Sequence, residues 1–338
     1  MLKPDTRKAK ADGVSPVERL HALVAADMAA TDRMIHARMG SAVTLIPDLA
    51  KHLIDSGGKR LRPMLTLAAA QMGGYAGDKH VNLAAAVEFI HTATLLHDDV
   101  VDASTLRRGK VAANLVWGNK ATVLVGDFLF SRAFEMMVDT GSLRVLEILA
   151  GASAIIAEGE VMQLKSESNL GTTEEHYLKV VGAKTAALFA AAAESGATLC
   201  DRGPRFIEAL RNYGENLGIA FQLVDDALDY SGRQALMGKA VGDDFREAKV
   251  TLPVILAYAR ADKASAQFWK RVIETSSQTE ADLERAITCV EETGAIQETM
   301  TRARHYADSA KAALAALPQS DIRAALADIA DFCVERAY

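Results

Sequence analysis

Cysteine is scarce in this sequence, with three residues among 338. Cys200, Cys289 and Cys333 are widely spaced, and none belongs to a CxxC pair or has a histidine at zinc-site spacing. This scarcity argues against a disulfide framework and against a cysteine-bound zinc ion. We therefore expect buried, reduced thiols in a cytoplasmic protein.

Aromatic residues are also few, at 6% of the chain, although 50% of the residues are hydrophobic. The apolar residues are mostly Ala, Leu and Val, which suit close-packed helices better than sheets. The sequence has no run of 18 consecutive apolar residues, and its first twenty residues lack the apolar segment of a signal peptide. The composition predicts an all-α protein with neither a transmembrane helix nor a secretion signal, and we expect no β-strand.

A surplus of basic residues is missing as well, since the formal net charge is -6. Nucleic-acid binding by counterion release needs a basic surface, so nucleic acid is not an expected partner. Basic residues do gather around one acidic motif, at Lys59, Arg60, Arg62, Arg107, Arg108 and Lys110. This pattern indicates a site for a diphosphate beside a metal-binding wall, with a solvated run of charges as the alternative.

Two acidic motifs stand near the ends of apolar segments with helical periodicity. The first contains Asp98, Asp99 and Asp102, and the second contains Asp225, Asp226 and Asp229. In each motif the first and last carboxylates are four residues apart and share one helix face. No Lys or Arg lies within a turn of the first motif, so burying its ionised carboxylates would be costly without a bound cation.

Two such helices facing each other predict a single pocket lined by oxygen ligands. Oxygen ligands favour Mg²⁺ or Mn²⁺ over Zn²⁺, and neither motif has the central Gly and terminal Glu of an EF-hand loop. Solvated or capping aspartates are the alternative for each motif taken alone. The occurrence of two copies in apolar surroundings favours the metal site.

Three motifs in order make the sequence resemble the trans-prenyl diphosphate synthases. They are Gly57–Pro63 (GGKRLRP), Asp98–Gly109 (DDVVDASTLRRG) and Asp225–Asp229 (DDALD). The resemblance is closest to the long-chain octaprenyl and decaprenyl diphosphate synthases, and it extends from about Val14 to the C-terminus. It implies one all-α bundle of the isoprenoid synthase type over residues 14–338, with a central active-site cavity, after a flexible N-terminus at residues 1–13.

The resemblance also implies a reaction. In this family an allylic diphosphate ionises, its carbocation alkylates isopentenyl diphosphate, and the leaving pyrophosphate is thought to accept the proton. Metal ions and arginines stabilise the leaving diphosphate, so no nucleophilic Ser or Cys is assigned. By position, Asp98 and Asp102 would hold two Mg²⁺ ions and Asp225 a third, with Asp99, Asp226 and Asp229 in support.

The same resemblance assigns two substrate sites. The allylic diphosphate would be held by Arg107, Lys184, Thr185, Gln222 and Lys239. Isopentenyl diphosphate would be held by Lys59, Arg62, His91 and Arg108.

Product length is implied by residues that precede the first acidic motif. In the family the fourth and fifth positions before it limit the growing tail, and here these are the small residues Thr94 and Ala93. A long product of octaprenyl to decaprenyl length is therefore expected, with its end near Met136 and Met137. In the family such a product usually becomes the side chain of a quinone. Homodimerisation and a peripheral membrane contact for product release are two further expectations.

Other interpretations remain open at this point. A farnesyl or geranylgeranyl diphosphate synthase would share all three motifs, whereas a terpene cyclase has no need of the second cationic site. A His-Asp phosphohydrolase could use His91, His97 and Asp98, although that class depends on histidine ligands. A non-catalytic subunit of a heteromeric synthase should have lost acidic residues, and this chain keeps both sets.

Local signals predict three further features. Ser15 and Pro16 predict the start of a helix that runs to about Met39. Gly182, in the middle of a helix beside Lys184, predicts a kink with a functional reason. The polar segment from residue 238 to residue 253 predicts a loop that closes over ligands, and it carries Ala240 and Ala248 where the family often has Pro and Gly.

Overall fold

The computed structural model describes residues 14–54, 57–231 and 241–335. The predicted flexible N-terminus, residues 1–13, lies outside this part of the chain, as do Lys239 and Ala240. No helix within the described residues combines the length and apolarity that a membrane span requires. The described α-helices are α1 (Pro16–Leu23), α2 (Ala25–Arg38), α3 (Leu45–Ile54), α4 (Leu61–Gly73), α5 (Lys79–Val101), α6 (Ala113–Trp117), α7 (Asn119–Asp139), α8 (Leu143–Ser166), α9 (Glu174–Val181), α10 (Ala187–Thr198), α11 (Pro204–Asp229), α12 (Asp243–Arg246), α13 (Leu252–Ala259), α14 (Lys263–Trp269), α15 (Glu280–Glu292), α16 (Ala295–Leu314) and α17 (Asp321–Glu335).

The first helix begins where the sequence predicts but ends earlier. The Ser15 hydroxyl accepts a bond from the Glu18 backbone N–H at 3.2 Å, and the Glu18 carboxylate accepts one from the Ser15 N–H at 2.8 Å. This reciprocal capping box fixes the start. The prediction of one helix as far as Met39 is wrong, because the backbone leaves the helical region at Val24 (φ -114°, ψ 17°) and divides α1 from α2.

The prediction that the chain has no strand is also wrong. Directly after α5, the two-residue strands β1 (Leu106–Arg107) and β2 (Lys110–Val111) pair antiparallel, with Leu106 opposite Val111. Arg108 and Gly109 form the turn with φ values of 53° and 77°. Positive φ at both central residues is the requirement of a type I′ hairpin, whose twist matches that of the strands. This turn places Arg107 and Arg108 beside the end of α5.

Helix α10 lies at the centre of the bundle, in contact with α4, α5, α8 and α11. Its alanine-rich sequence allows these close approaches. On the α11 side, a Cβ at Gly214 would lie 2.4 Å from the Phe189 carbonyl oxygen, so only glycine permits the observed spacing. Just before α10, Gly182–Ala186 forms a π-helical turn, an irregularity at the point where the sequence predicts a kink. A second π-helical turn, Lys270–Glu274, follows α14.

Candidate active site

One cavity of about 450 Å³ brings together most of the predicted site residues. Residues from α4, α5, α8, α10, α11 and the π-helical turn line it, together with the β1–β2 hairpin. The predicted residues among them are Lys59, Arg62, His91, Thr94, Asp98, Arg107, Arg108, Lys184, Thr185, Gln222 and Asp225. A smaller cavity of about 130 Å³ shares Lys184, Thr185 and Gln222 with it and includes Asp226. Lys239 lies outside the described residues.

The three carboxylates of the first acidic motif have different environments. Asp98 lines the large cavity, and burial raises its pKa while the Lys184 ammonium group, 3.9 Å away, opposes that rise. Asp99 is fully buried and accepts a bond from Arg107 Nε at 2.7 Å. Asp102 accepts a bond from Lys249 Nζ at 3.0 Å. Asp99 therefore orients an arginine at the rim, whereas Asp98 lies at the cavity itself.

The second motif divides in the same way. Asp225 lines the large cavity. Asp226 is buried and accepts bonds from the Tyr177 hydroxyl at 2.5 Å and from Gln222 Nε2 at 2.7 Å, and burial raises its pKa to about 7. Asp229 accepts backbone N–H bonds at the start of α12, including that of Asp244 at 3.0 Å. Asp226 and Asp229 hold neighbouring elements in place around Asp225.

The carboxylates at one side of the cavity, Asp98, Glu160 and Asp225, form its acidic wall. The cations that neutralise these and the adjacent carboxylates come from remote parts of the chain. Lys184 lies 2.7 Å from Glu160 on α8, in addition to its longer contact with Asp98. Lys249 contacts Asp102 at 3.0 Å and Glu247 at 2.6 Å. The absence of Lys and Arg from the adjacent turns in the sequence therefore does not leave these carboxylates without cationic partners in the folded chain.

A second wall of the cavity is cationic and contains Lys59, Arg62 and Arg108. Arg62 Nη1 donates to His91 Nε2 at 3.1 Å, and the Arg62 guanidinium carbon lies 4.3 Å from the centre of the Phe189 ring. Burial and the neighbouring arginines lower the pKa of His91 well below its ordinary value, so His91 is a neutral acceptor. Arg108 donates to the Gly57 carbonyl. Two walls of opposite charge thus share one cavity.

The residues predicted to set product length are not all at the cavity. Thr94 lines it, and the Thr94 hydroxyl donates to the His91 carbonyl at 2.8 Å. Ala93 is fully buried in the core. Met136 and Met137 on α7 are also fully buried and do not line this cavity.

Magnesium fits the donor set of this site only if substrate completes its coordination. Among the described residues, no group of three or more His, Cys, Asp and Glu side chains is arranged to hold an ion without other ligands. Carboxylates from three helices nevertheless line one cavity, Asp98 on α5, Glu160 on α8 and Asp225 on α11, and Glu160 Oε1 is buried without a hydrogen-bond partner among the described residues. Mg²⁺ usually takes one or two protein carboxylates and completes its shell with water and phosphate oxygens.

Comparison with known proteins identifies the family. The polyprenyl synthetase family model matches residues 43–290. The chain is 45% identical to octaprenyl diphosphate synthase from Escherichia coli over 95% of this chain and 99% of that protein. A crystal structure of a decaprenyl diphosphate synthase from Rhodobacter capsulatus superimposes with a TM-score of 0.92 at 55% identity, covering 96% of this chain and 100% of the other. The chain belongs to the polyprenyl synthetase family.

A second solved relative carries ligands. The polyprenyl synthase from Caulobacter crescentus, crystallised with calcium and isoprenyl diphosphate, is 57% identical with a TM-score of 0.92, covering 95% of this chain and 98% of that one. The predicted all-α fold is confirmed, and the protein is a prenyltransferase, a long-chain trans-polyprenyl diphosphate synthase. Enzymes of this family depend on magnesium, and prenyl diphosphate substrates are consistent with membership of the family.

Several residues of this polyprenyl synthetase site escape sequence reasoning. Glu160, Glu88 and Lys249 meet their partners only through the fold; Glu160 and Lys184, for example, are 24 positions apart. Tyr177 binds Asp226 across 49 positions. The only signal in the sequence is Glu88, which stands in an apolar stretch of α5, residues 83–90, where a buried charge requires a partner.

The His-Asp phosphohydrolase interpretation does not fit this geometry. His97 stacks on Phe130, with its Nε2 3.2 Å from the Val123 carbonyl oxygen and 3.5 Å from Asp127. His91 belongs to the cationic wall and contacts Arg62. The two histidines that this class would need as metal ligands are therefore engaged elsewhere.

Gly58 is predicted to be necessary for the position of Arg108. A Cβ at Gly58 would lie 3.0 Å from the Arg108 guanidinium carbon, so Gly58→Ala should displace this group by a few tenths of an ångström. If Arg108 holds isopentenyl diphosphate, as the resemblance implies, the KM for that substrate should rise by up to about tenfold. Steady-state kinetics with each substrate varied in turn measures this effect. Gly57→Ala is the matched control, because Gly57 also has positive φ (80°) but has nothing within 4 Å of a Cβ. Equal rises in both variants would attribute the effect to backbone strain.

Proposed function

We propose that this synthase condenses isopentenyl diphosphate repeatedly with an allylic primer in the cavity described above, to a product of about C40–C50. The observation that carries the proposal is the presence of two oppositely charged walls around one cavity. A single-diphosphate enzyme needs one such wall. Two walls suit two diphosphates, one to be released and one to be retained.

In this proposal the acidic wall receives the allylic diphosphate. Asp98, Asp102 and Asp225 would hold three Mg²⁺ ions together with that diphosphate, and the ions would neutralise the charge that develops as it leaves. Lys184, Arg107, Thr185 and Gln222 orient the leaving group, and Lys239 remains a prediction from the family pattern. Asp99, Asp226 and Asp229 act indirectly, by holding Arg107, Gln222 and the start of α12.

The cationic wall receives isopentenyl diphosphate. Lys59, Arg62 and Arg108 supply positive charge, and neutral His91 fixes the guanidinium of Arg62. The carbon–oxygen bond of the primer breaks, the double bond of isopentenyl diphosphate attacks the allylic carbon, and the proton lost goes to the leaving pyrophosphate. These chain residues position both substrates and exclude water while charge is on carbon.

The test is incubation of the pure protein with labelled isopentenyl diphosphate, farnesyl diphosphate and Mg²⁺. We expect elongated diphosphates, mainly of eight to ten isoprene units by chromatography after dephosphorylation. Products that stop at about C20 would support the shorter-chain alternative. A released cyclic hydrocarbon or free phosphate would contradict the proposal, and no product at all would support the non-catalytic subunit.

We further propose a homodimer formed through the α7–α8 face. Large apolar side chains are exposed there, at Val123, Leu124, Phe134, Val138, Leu143, Ile155, Val161 and Leu164. A patch of this extent on a soluble protein is typical of an interface. Sedimentation velocity should show a dimer for the wild type and a monomer for Leu124→Glu, whereas Val43→Glu, exposed before α3, should leave the assembly unchanged. A monomeric wild type would contradict this proposal.

A cytoplasmic location and a peripheral membrane contact complete the proposal. A product with many apolar isoprene units dissolves poorly in water, so its release is favoured where a bilayer can accept it. A quinone side chain is the proposed use. Flotation of the enzyme with liposomes after turnover, compared with flotation before turnover, tests the contact, and equal flotation would contradict it.

A further inference from the structure

A buried carboxylate at the cationic wall forms an ion pair with one arginine and feels the charge of two others. Glu88, on α5, is 3% exposed and lines the large cavity. Arg60 Nη1 lies 3.1 Å from Glu88 Oε1, and the Arg60 side chain is 18% exposed. Burial raises the pKa of the Glu88 carboxylate, and the nearby charges of Arg60, Arg108 and Arg62 oppose that rise. Glu88 is therefore the shared counterion of the cluster.

Arg60 joins this cluster to the loop that precedes α4. Its φ is 48°, a left-handed conformation that a non-glycine residue keeps only when its surroundings enforce it. Arg60 Nη2 also donates to the Ile54 carbonyl at 3.3 Å, at the end of α3. The ion pair thus ties the segment around Lys59 to α5, and Arg108 ties the same segment through the Gly57 carbonyl.

Two buried nitrogen atoms of the arginines in this cluster form no hydrogen bond within the described residues. Arg62 Nε is buried and has no hydrogen-bond acceptor in the described part of the chain, and Arg60 Nη1 lies 3.1 Å from Glu88 Oε1 without the geometry of a hydrogen bond. Burial lowers the pKa of Arg62 to about 10, and the Glu88 charge opposes that shift. Arg62 therefore stays charged near neutral pH although its Nε has no hydrogen-bond acceptor.

We propose that the Arg60–Glu88 pair is a positioning device for isopentenyl diphosphate, which holds Lys59, Arg62 and Arg108 in place before the substrate binds. This inference rests on the proposed assignment of isopentenyl diphosphate to the cationic wall. Neither member of the pair needs to touch the reacting carbons. The acidic wall takes Asp98 from α5, ten residues or about 15 Å of helix beyond Glu88, and Asp225 from α11.

A purely structural role for the pair makes a different prediction. Removing one member of a buried ion pair leaves an uncompensated charge, whereas replacing both by apolar residues of similar size often preserves stability. If the pair only stabilises the fold, the double replacement should restore both stability and substrate binding. If it positions the wall, stability returns but binding of isopentenyl diphosphate does not.

The experiment compares Arg60→Met/Glu88→Leu with the wild type. We expect a thermal midpoint close to that of the wild type, a KM for isopentenyl diphosphate raised about tenfold, and a KM for farnesyl diphosphate within about twofold. Calorimetric titration with isopentenyl diphosphate alone should show the same weakening. The control, Arg302→Met/Glu174→Leu, replaces a half-exposed pair outside the cavity and should change neither KM.

Two results would overturn the inference. A double variant with the wild-type KM for isopentenyl diphosphate makes the pair structural only, and equal rises in both KM values indicate general damage. If the double variant does not fold, Glu88→Gln decides, because it keeps the shape and loses the charge; an unchanged KM there also overturns the inference. A wild type that does not elongate any primer would instead refute the proposed function.

Discussion

Replacing Asp98 or Asp225 by alanine is expected to abolish chain elongation while the helical fold survives. Both carboxylates line the cavity, and Asp98 lies 3.9 Å from Lys184, which is too far for a hydrogen bond and adds little to stability. Losing an oxygen ligand where charge develops should cost several kcal/mol, or roughly a thousandfold or more in rate. Single-turnover assays at saturating Mg²⁺, with circular dichroism for the fold, measure both parts.

The control residue lies directly before the helix that carries Asp98. Asp78 is exposed at the start of α5, and its side chain makes no cap bond there. Asp78→Ala should therefore retain full activity. Near wild-type elongation by Asp98→Ala would refute the metal assignment, and partial recovery at higher Mg²⁺ concentration would limit Asp98 to a weaker ligand than proposed.

The sequence predicts what depends on neighbouring residues. The i, i+4 spacing of each acidic motif places its first and last carboxylates on one helix face, and the composition predicts an all-α protein. The helix start predicted from Ser15 and Pro16 likewise depends on adjacent residues, and the structure adds a capping box with Glu18. All of these features depend on residues that are close in sequence, so they can be predicted without knowledge of the fold.

Features that depend on distant residues could not be read from the pattern. Lys249 meets Asp102 across 147 positions, and Arg60 meets Glu88 across the loop and helix between them. The β1–β2 hairpin has two residues per strand, too few for the alternating pattern by which strands are recognised. The structure gives a reason for one departure from the family pattern. Ala248, where the family often has Gly, has a φ of 51°, a conformation that glycine adopts without strain.

Product length is expected to collapse when Thr94 is replaced by phenylalanine. Thr94 lines the cavity one helical turn before Asp98, and it is one of the two small positions that the family pattern implicates. A phenyl ring at this point occupies the path of a growing tail, and a close-packed interior does not yield to it. Elongation should stop at about 15 to 20 carbons, since the first condensations need no space below Thr94.

The path beyond Thr94 makes this prediction more specific. Val87 and Ile90 are fully buried, and Met136 and Met137 do not line the cavity. The stretch from Asp98 back to Val87 spans only about 16 Å of helix, so a long tail must continue between α5 and its neighbours. Thr94 is the predicted length-determining residue that lines the cavity, next to the buried region around Val87 and Ile90. A phenyl ring at position 94 should therefore block every product tail that extends past it.

Ala93 provides the contrast to Thr94. It is fully buried, so Ala93→Phe should overpack the core and lower the thermal midpoint, with product length a secondary effect. Thr94→Val is the matched control, because it keeps the volume and loses only the bond to the His91 carbonyl. Chromatography of dephosphorylated products should show short chains for Thr94→Phe and wild-type chains for Thr94→Val. An active Thr94→Phe enzyme with unchanged product length would show that the tail does not run along this face of α5.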